Sequence, residues 1–215
     1  MQNLDFAGIF ISFAVLLFSL TVHEMAHAWT ADRLGDPTAR LLGRVSLNPI
    51  VHADPIGTIV FPLISLISGA VLIGWAKPVP VNLRYLRHPR RDYMIVAAAG
   101  PASNLVLALF AAILLAILPI TPQTLGEPTV SVPLAAILSR LMALNVLLAV
   151  FNMIPIPPLD GGNVLAGVLP ADLAGLFNKI RPYGFVLLYA LVLSGGFEMI
   201  VLPPYRFILS WLTTK

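Results

Sequence analysis

Five long runs with few or no charged side chains constrain this chain more than any other feature. A helix needs about 20 apolar residues to cross a bilayer, and each run reaches or approaches that length. Charged residues make up 11% of the 215-residue chain, against about 25% in a soluble domain. We therefore predict an all-α polytopic membrane protein with about five to six transmembrane or re-entrant helices. The runs are residues 6–22, 56–76, 93–118, 133–153 (interrupted by Arg140) and 182–197.

Lysine and arginine concentrate in three connecting regions, and this pattern predicts the orientation of the chain. They cluster in residues 33–44, 77–91 and 179–181, whereas residues 3–5 and 119–133 contain none. By the positive-inside rule, the N-terminus and the 119–133 loop are external and the basic regions are cytoplasmic. This topology accounts for the net charge of +3, so we expect no nucleic-acid partner.

Residues 56–82 do not fit a single crossing, because the basic regions before and after them should lie on the same side. The segment ends in Lys-Pro-Val-Pro-Val-Asn, and Pro-x-Pro favours an extended backbone over a helix. Non-helical backbone is tolerated at membrane depth only where protein covers it or where it lines a wet cavity. We predict a helix followed by a short extended re-entrant or β stretch, packed near the polar residues of the first run.

That first run leads into His23-Glu24-x-x-His27. Residues four apart share one face of a helix, so both imidazoles can point at a single metal ion. Glu24 occupies the usual position of the general base in zinc hydrolases with this pattern. The alternative is a pair of core histidines bonded to backbone carbonyls, which would leave three polar groups needing partners away from water. We predict a zinc site within the bilayer.

A catalytic zinc ion usually has three protein ligands and one open position. The chain has no cysteine, which leaves imidazoles and carboxylates. Asp160 stands out because it follows an apolar run, after prolines that break the helix and keep the chain extended, and before two glycines. A turn or N-cap aspartate before a helix over residues 163–168 is the alternative. The other candidates are His52, His88, Asp32, Asp36, Asp54, Asp92, Asp172, Glu127 and Glu198.

Three motifs resemble the signatures of the site-2 proteases, which are zinc proteases that cut within the membrane. They are His23-Glu24-x-x-His27, Gly100-Pro101-x-x-Asn104 and Asn152-x-x-Pro155-x-Pro157-x-Leu159-Asp160-Gly161-Gly162, in the family's order. The resemblance implies that His23, His27 and Asp160 bind one Zn²⁺ per chain and that Glu24 activates the attacking water. It implies that Asn152 holds the substrate backbone or the developing oxyanion. The Gly100-Pro101 turn and Asn104 match a packing motif at the start of a core helix, and a catalytic or cleft role is the alternative.

Two features distinguish this chain from the simplest family members. It lacks an inserted PDZ-like domain, so we expect a compact form with one protease domain over residues 1–215. Its core motifs would lie in residues 20–162 and its C-terminal helices in residues 163–215. It also carries Asn48-Pro49-x-x-His52-x-Asp54-Pro55-x-Gly57. We predict a helix-entry turn hydrogen-bonded through Asp54, with a second metal site or a place in the cleft for His52 and Asp54 as the alternative.

The resemblance predicts an intramembrane zinc metalloendopeptidase that cleaves peptide bonds in or near transmembrane segments of membrane proteins. The alternative is a zinc-binding membrane protein without catalysis, or a metal carrier. The expected partners are a transmembrane protein substrate and the lipid bilayer. We expect a multi-pass protein of a bacterial-type plasma membrane, with the site nearer the cytoplasmic side so that water can reach it. Residues 78–83 are predicted to be an edge to which an unwound substrate adds as a strand.

Overall fold

The structure is a computed structural model that describes residues 6–61, 64, 75–118 and 131–214. Within these ranges the chain is all-α and contains no strand. A π-helical segment (Pro55–Val60) follows the third helix, and a 3-10 turn (Arg181–Tyr183) joins the seventh helix to the eighth. The α-helices of the described ranges are α1 (Phe6–Arg33), α2 (Thr38–Leu41), α3 (Pro49–His52), α4 (Pro89–Ile117), α5 (Ser131–Asn152), α6 (Asp160–Val168), α7 (Ala171–Ile180), α8 (Gly184–Leu193) and α9 (Gly196–Thr213).

Four helical stretches of the described ranges are long and apolar enough to cross a membrane. They are Gly8–Arg33, Pro89–Ile117, Ser131–Asn152 and Ala171–Leu193, the last of which joins α7, the 3-10 turn and α8. The predicted class, an all-α polytopic membrane protein, is confirmed. Most of the predicted re-entrant helix (residues 62–63 and 65–74) and most of the predicted external loop (residues 119–130) lie outside the described residues.

The α1, α4 and α5 helices pack against one another at the centre of the molecule. Alanines at positions 108 and 111 of α4 are fully buried and allow close approach of Met142 and Val146 of α5. The second half of α9 packs against this contact through Leu209 and its neighbours. The three central helices therefore form one apolar scaffold, and the polar residues inside it must bond to one another.

Helix α4 begins earlier than the sequence motif predicts. Pro89 takes the first helical position, where its missing N–H costs nothing, and the Asp92 carboxylate accepts a hydrogen bond from the His88 N–H at 2.7 Å. Gly100 and Pro101 therefore lie in the interior of α4 and form no turn. The predicted Gly-Pro turn is wrong, because the cap at residues 88–92 starts the helix well before the motif.

Helix α5 ends at Asn152 and α6 begins at Asp160, so the predicted break before Asp160 is present. The connection consists of turns and is not the extended stretch that the prolines predict. Its amides bond locally, with the Ile156 N–H donating to the Ile154 carbonyl at 2.8 Å, which satisfies backbone groups that have no water nearby. A Cβ at Gly161 would overlap the backbone of residues 153–154. The missing side chain allows the first turn of α6 to rest directly on this connection.

Residues 75–82 are neither helix nor strand, and other parts of the chain hold them in place. The Lys77 N–H donates to the His52 carbonyl at 2.8 Å, and the Asn82 N–H donates to the Asp36 carboxylate at 2.6 Å. The Arg44 guanidinium donates to the Lys77 carbonyl at 2.9 Å. We call residues 75–82 the non-helical stretch; it is tied to the residues that follow α1.

Candidate metal centre

Three ligand-type side chains meet where α1 faces the start of α6. His23 and His27 lie one turn apart on α1, and their Nε2 atoms are 3.0 Å apart. Oδ2 of Asp160, the first residue of α6, lies 3.1 Å from Nε2 of His23 and 3.4 Å from Nε2 of His27. Within the described part of the chain, this is the only group of three His, Cys, Asp or Glu side chains close enough to hold a metal ion.

The spacing of the three atoms fits a zinc ion. Zinc binds imidazole nitrogen and carboxylate oxygen at about 2.0–2.2 Å, and tetrahedral angles then separate ligand atoms by roughly 3.3–3.5 Å. The three observed separations run from 3.0 to 3.4 Å. The triangle needs to open by only a few tenths of an ångström to hold the ion, and a fourth position stays available for water.

The hydrogen bonds of the two imidazoles fix which nitrogen faces the centre of the triangle. Nδ1 of His23 lies 2.6 Å from Oδ1 of Asn104, and Nδ1 of His27 lies 2.7 Å from the carbonyl oxygen of Val96. Both partners accept, so each neutral ring carries its proton on Nδ1 and turns the lone pair of Nε2 towards Asp160. Metal-binding histidines have this arrangement.

The carboxylate of Asp160 supports the same conclusion. Its Oδ2 is buried and has no hydrogen-bond donor among the described residues, and it faces the lone pairs of His23 and His27. Three electron-rich atoms packed together away from water repel one another unless a proton or a cation lies between them. The donor set therefore fits a divalent cation. The alternative of an N-cap aspartate is wrong, because Leu159 is the N-cap of α6 and no side chain bonds to this cap.

A chain of buried amides connects His23 to the centre of the three-helix scaffold. Nδ2 of Asn104 donates to Oδ1 of Asn145 at 2.7 Å, and Nδ2 of Asn145 donates to the Ser19 hydroxyl at 2.8 Å. Ser19, Asn104 and Asn145 are fully buried. The network crosses α1, α4 and α5, and it orients Asn104 so that its carbonyl faces the imidazole. Asn145 and Ser19 were not predicted as site residues, although an asparagine in the middle of the apolar run 133–153 is a signal for a buried polar contact.

Gly100 makes room for the imidazoles. A Cβ at this position of α4 would overlap the rings of both His23 and His27. The Gly-Pro motif therefore acts at the metal centre by letting the two rings approach the α4 backbone. The motif alone favours a packing role, with a catalytic or cleft role as the alternative.

Glu24 is buried on α1 and faces the non-helical stretch. Its Oε2 accepts a hydrogen bond from the Val79 N–H at 3.0 Å. Glu24 directly follows His23 on the same helix, so its role as the general base stays a prediction from the His-Glu-x-x-His spacing. The hydrogen bond from Val79 connects the candidate general base directly to the backbone of residues 75–82.

The remaining predicted residues lie in different surroundings. Asn152 is the last residue of α5, is half-buried, and donates to the Leu148 carbonyl at 3.0 Å. Asp54 forms the predicted helix-entry turn: its Oδ1 accepts from the Ile56 and Gly57 amides at 3.0 and 2.7 Å. His52 is buried, with Nε2 2.8 Å from the Ser46 carbonyl oxygen. The alternative of a second metal held by His52 and Asp54 finds no support in the described residues, where neither belongs to a metal-type group.

The chain matches the family model for "Peptidase family M50" over residues 11–132 and 119–194. It is 37% identical over 179 residues to "Putative zinc metalloprotease YwhC" of Bacillus subtilis, covering 83% of this chain and 78% of that protein. It is 32% identical over 197 residues to "Putative zinc metalloprotease Rip2" of Mycolicibacterium smegmatis, and 31% identical over 194 residues to the protein of the same name from Mycobacterium tuberculosis. Both alignments cover 90% of this chain and 71% of the relative. No solved structure gives a significant match.

Proposed function

This chain belongs to peptidase family M50, the site-2 protease family, and from that membership we propose that it cleaves its substrates within the membrane. It is a zinc metalloprotease and a multi-pass integral membrane protein. The proposed reaction is hydrolysis of peptide bonds in or near transmembrane segments of membrane proteins. One observation carries the proposal: the half-buried Asp160 completes a triangle with His23 and His27, which are buried on a helix long and apolar enough to span a bilayer.

We assign His23, His27 and Asp160 as the three protein ligands of one zinc ion. When bound, the ion would supply a Lewis acid, the chemistry that polarises a carbonyl and lowers the pKa of water towards about 7. Asn104 and the Val96 carbonyl hold the imidazoles in the tautomer that binds metal. Asp160 adds a negative charge that partly neutralises a divalent cation in an apolar setting.

Glu24 is the proposed general base. Its carboxylate accepts the proton of the attacking water and then delivers that proton to the leaving amide nitrogen. The hydrogen bond from the Val79 N–H fixes one oxygen of this carboxylate. The side chain is thereby restricted to few rotamers before the substrate arrives, which lowers the entropic cost of reaching the transition state.

Asn152 is the proposed substrate-holding residue. It ends α5 beside the turns that lead to Asp160, and its side-chain amide can donate to a substrate carbonyl or to the developing oxyanion. A donor of this kind contributes about 3 kcal/mol to transition-state stabilisation. The substrate helix must also unwind locally, because its own hydrogen bonds otherwise shield the scissile carbonyl.

Substrate addition as a strand is proposed for the end of residues 78–83 that lies away from Glu24. The Val79 N–H is bonded to Glu24, and the Pro78 carbonyl accepts from Arg44 at 3.0 Å. Backbone groups at these two positions are therefore already occupied. Within residues 80–83, a substrate strand would pair through the amides of Val81 and Leu83, because Pro80 has no N–H and the Asn82 N–H is bonded to Asp36.

The proposed location is a bacterial-type plasma membrane, with the site nearer the cytoplasmic side. The site lies in the C-terminal half of α1, and the basic residues 33–44 follow directly. Positive loops face the cytoplasm, and the relatives named above come from bacteria. We further propose that residues 1–215 form one protease domain, since α9 packs on the α4–α5 contact and α6 packs on α4.

The test uses the purified full chain in nanodiscs with a panel of single-span peptides. The wild type should bind one zinc ion and cleave within the apolar span, and a chelator should abolish cleavage. Glu24→Gln should keep its zinc and the contact to Val79 through its amide oxygen, but lose cleavage. Glu198→Gln, the same change at an exposed position of α9, is the matched control and should cleave normally.

Each failure has a separate meaning. Zinc-loaded wild type that cleaves no peptide would favour the non-catalytic zinc-binding protein. Cleavage by zinc-loaded Glu24→Gln would remove Glu24 as the base, and cleavage only in soluble peptides would refute the intramembrane activity.

A further inference from the structure

A cationic cleft of about 420 Å³ is lined in part by the non-helical stretch, and its described lining includes none of the three candidate metal ligands. Two of its lining side chains, Arg44 and Lys77, are positively charged, and none of its lining residues within the described ranges is acidic. The other lining residues of the described ranges are apolar. The lining within those ranges is Leu42, Arg44, Val51, Lys77, Pro78 and Pro80.

Arg44 is the lining residue that other parts of the chain hold in place. Although it is one of the lining residues, Arg44 is only 6% exposed. One guanidinium nitrogen donates to the carbonyls of Lys77 and Pro78, at 2.9 and 3.0 Å. The other terminal nitrogen, NH1, is buried and has no acceptor in the described part of the chain. A buried donor without a partner is costly, so this nitrogen favours any ligand that brings an anionic oxygen.

The surroundings of the cleft indicate where it sits. Leu41, Leu42, Leu47 and Ile50 are 74%, 62%, 58% and 78% exposed. Four large aliphatic side chains exposed on one short segment of a membrane protein are typical of a segment that lies in the interface, with its apolar groups in the acyl boundary. Basic side chains beside them lie at the level of the lipid phosphates.

We propose that this cleft binds the phosphate of an anionic phospholipid headgroup, held by Arg44 and Lys77. Arginine and phosphate form strong charge-assisted hydrogen bonds, and the exposed leucines place the cleft beside lipid. The cytoplasmic leaflet, where the basic regions are expected, carries the anionic lipids. The ligand is thus a lipid phosphate, and free inorganic phosphate offers the same chemistry from solution.

The cleft is also connected through the backbone of residues 77–79 to Glu24, which is the general base only if the proposed function holds. Arg44 holds the carbonyls of Lys77 and Pro78, and the next residue, Val79, donates to Glu24. A headgroup bound to Arg44 and Lys77 would hold this stretch in place and thereby fix the carboxylate of Glu24. Anionic lipid is expected to raise kcat and to leave zinc content unchanged.

The test changes Lys77 and leaves Arg44 intact, because Arg44 also holds the backbone. The ammonium group of Lys77 makes none of the side-chain hydrogen bonds or ion pairs of the described residues, so Lys77→Gln removes one cleft charge without disturbing the fold. Arg84→Gln removes a charge from an exposed position of the same basic region, outside the cleft. Native mass spectrometry of the delipidated full chain measures binding of phosphatidylglycerol against phosphatidylcholine.

The wild type should retain one phosphatidylglycerol per chain. Lys77→Gln should bind it about fivefold more weakly, and Arg84→Gln should match the wild type. Equal binding by the two variants would overturn the proposal. Retention of inorganic phosphate in place of phosphatidylglycerol would also overturn it, by making the source a soluble anion. Repeating the binding measurement with Glu24→Gln separates this result from the protease assay, since that variant needs no activity to bind lipid.

Discussion

Replacing Asn104 by alanine should weaken zinc binding by about 10- to 100-fold, the usual effect of removing the hydrogen-bond partner of a metal-binding histidine. This range corresponds to about 1.4–2.7 kcal/mol of binding free energy. Asn104 is fully buried, and its Oδ1 lies 2.6 Å from Nδ1 of His23. Without that acceptor, the Nδ1 proton has no partner, and the ring can rotate or change tautomer so that Nε2 no longer faces the ion.

The same change should destabilise the zinc-free protein by about 1–3 kcal/mol, since the Nδ1–H of His23 and Oδ1 of Asn145 both lose a buried partner. Asn145→Ala is the matched control. It cuts the network one bond further from the metal, where Asn145 contacts Asn104 at 2.7 Å and Ser19 at 2.8 Å. Its loss of stability should be similar, but its zinc affinity should fall by much less than in Asn104→Ala, because the Asn104 carbonyl is still present to accept from His23.

The assay is a competition titration with a chromophoric chelator in detergent micelles, combined with thermal unfolding of the zinc-free and zinc-bound forms. Asn104→Asp should recover most of the zinc affinity, because its carboxylate still accepts from the His23 ring. Equal loss of zinc affinity in Asn104→Ala and Asn145→Ala would refute the reasoning, since a purely structural role would then account for both. Unchanged affinity in Asn104→Ala would refute it as well.

Three further changes separate ligands, packing and caps. Gly100→Ala should abolish zinc binding, because its Cβ would overlap both imidazoles. Gly175→Ala on α7, where a Cβ meets open space, should bind zinc normally. The zinc content per chain is measured for both variants. Asp160→Asn should leave the unfolding temperature of the zinc-free protein unchanged or higher, because it relieves lone-pair repulsion. Adding zinc should then no longer raise the unfolding temperature. A rise equal to that of the wild type would argue against Asp160 as a ligand. Asp54→Ala should lower the free energy of unfolding by about 1 kcal/mol, as the loss of a helix cap does. Its zinc content should be unchanged, and a fall in zinc content would give Asp54 a role in the metal site.

The local part of the site follows from helix geometry, and the sequence could therefore predict it. Two histidines four residues apart share a face whatever the fold, and the apolar run before them places that face in a membrane helix. The prolines after Asn152 predict that α5 ends there, as observed. The meeting of Asp160 with His23 is different, because nothing local brings residues so far apart together. The prolines and glycines around Asp160 made it a candidate ligand, and the resemblance to a family joined it to His23 and His27.

The roles of Ser19 and Asn145 in the site could not be predicted, because each side chain can instead bond to a backbone carbonyl of its own helix. Ser19 donates to the Val15 carbonyl of its own helix at 2.7 Å, as serines in membrane helices commonly do. Asn145 likewise donates to the Leu141 carbonyl at 2.8 Å. Only the packing of α1 against α4 and α5 shows that these side chains also form one path to His23.

This path makes the register of the three helices part of the metal centre. Ser19 and His23 lie four residues apart on α1, so the network meets the same helix face at two successive turns, through Asn145 from α5 and Asn104 from α4. A shift of α1 along its axis by one residue would break both contacts at once and would turn the imidazoles away from Asp160. Hydrophobic packing alone resists such a shift weakly, because the apolar side chains of α1 can exchange partners with lipid. The buried amides give the helices a single register, and in that register Nε2 of His23 and Nε2 of His27 face the same carboxylate.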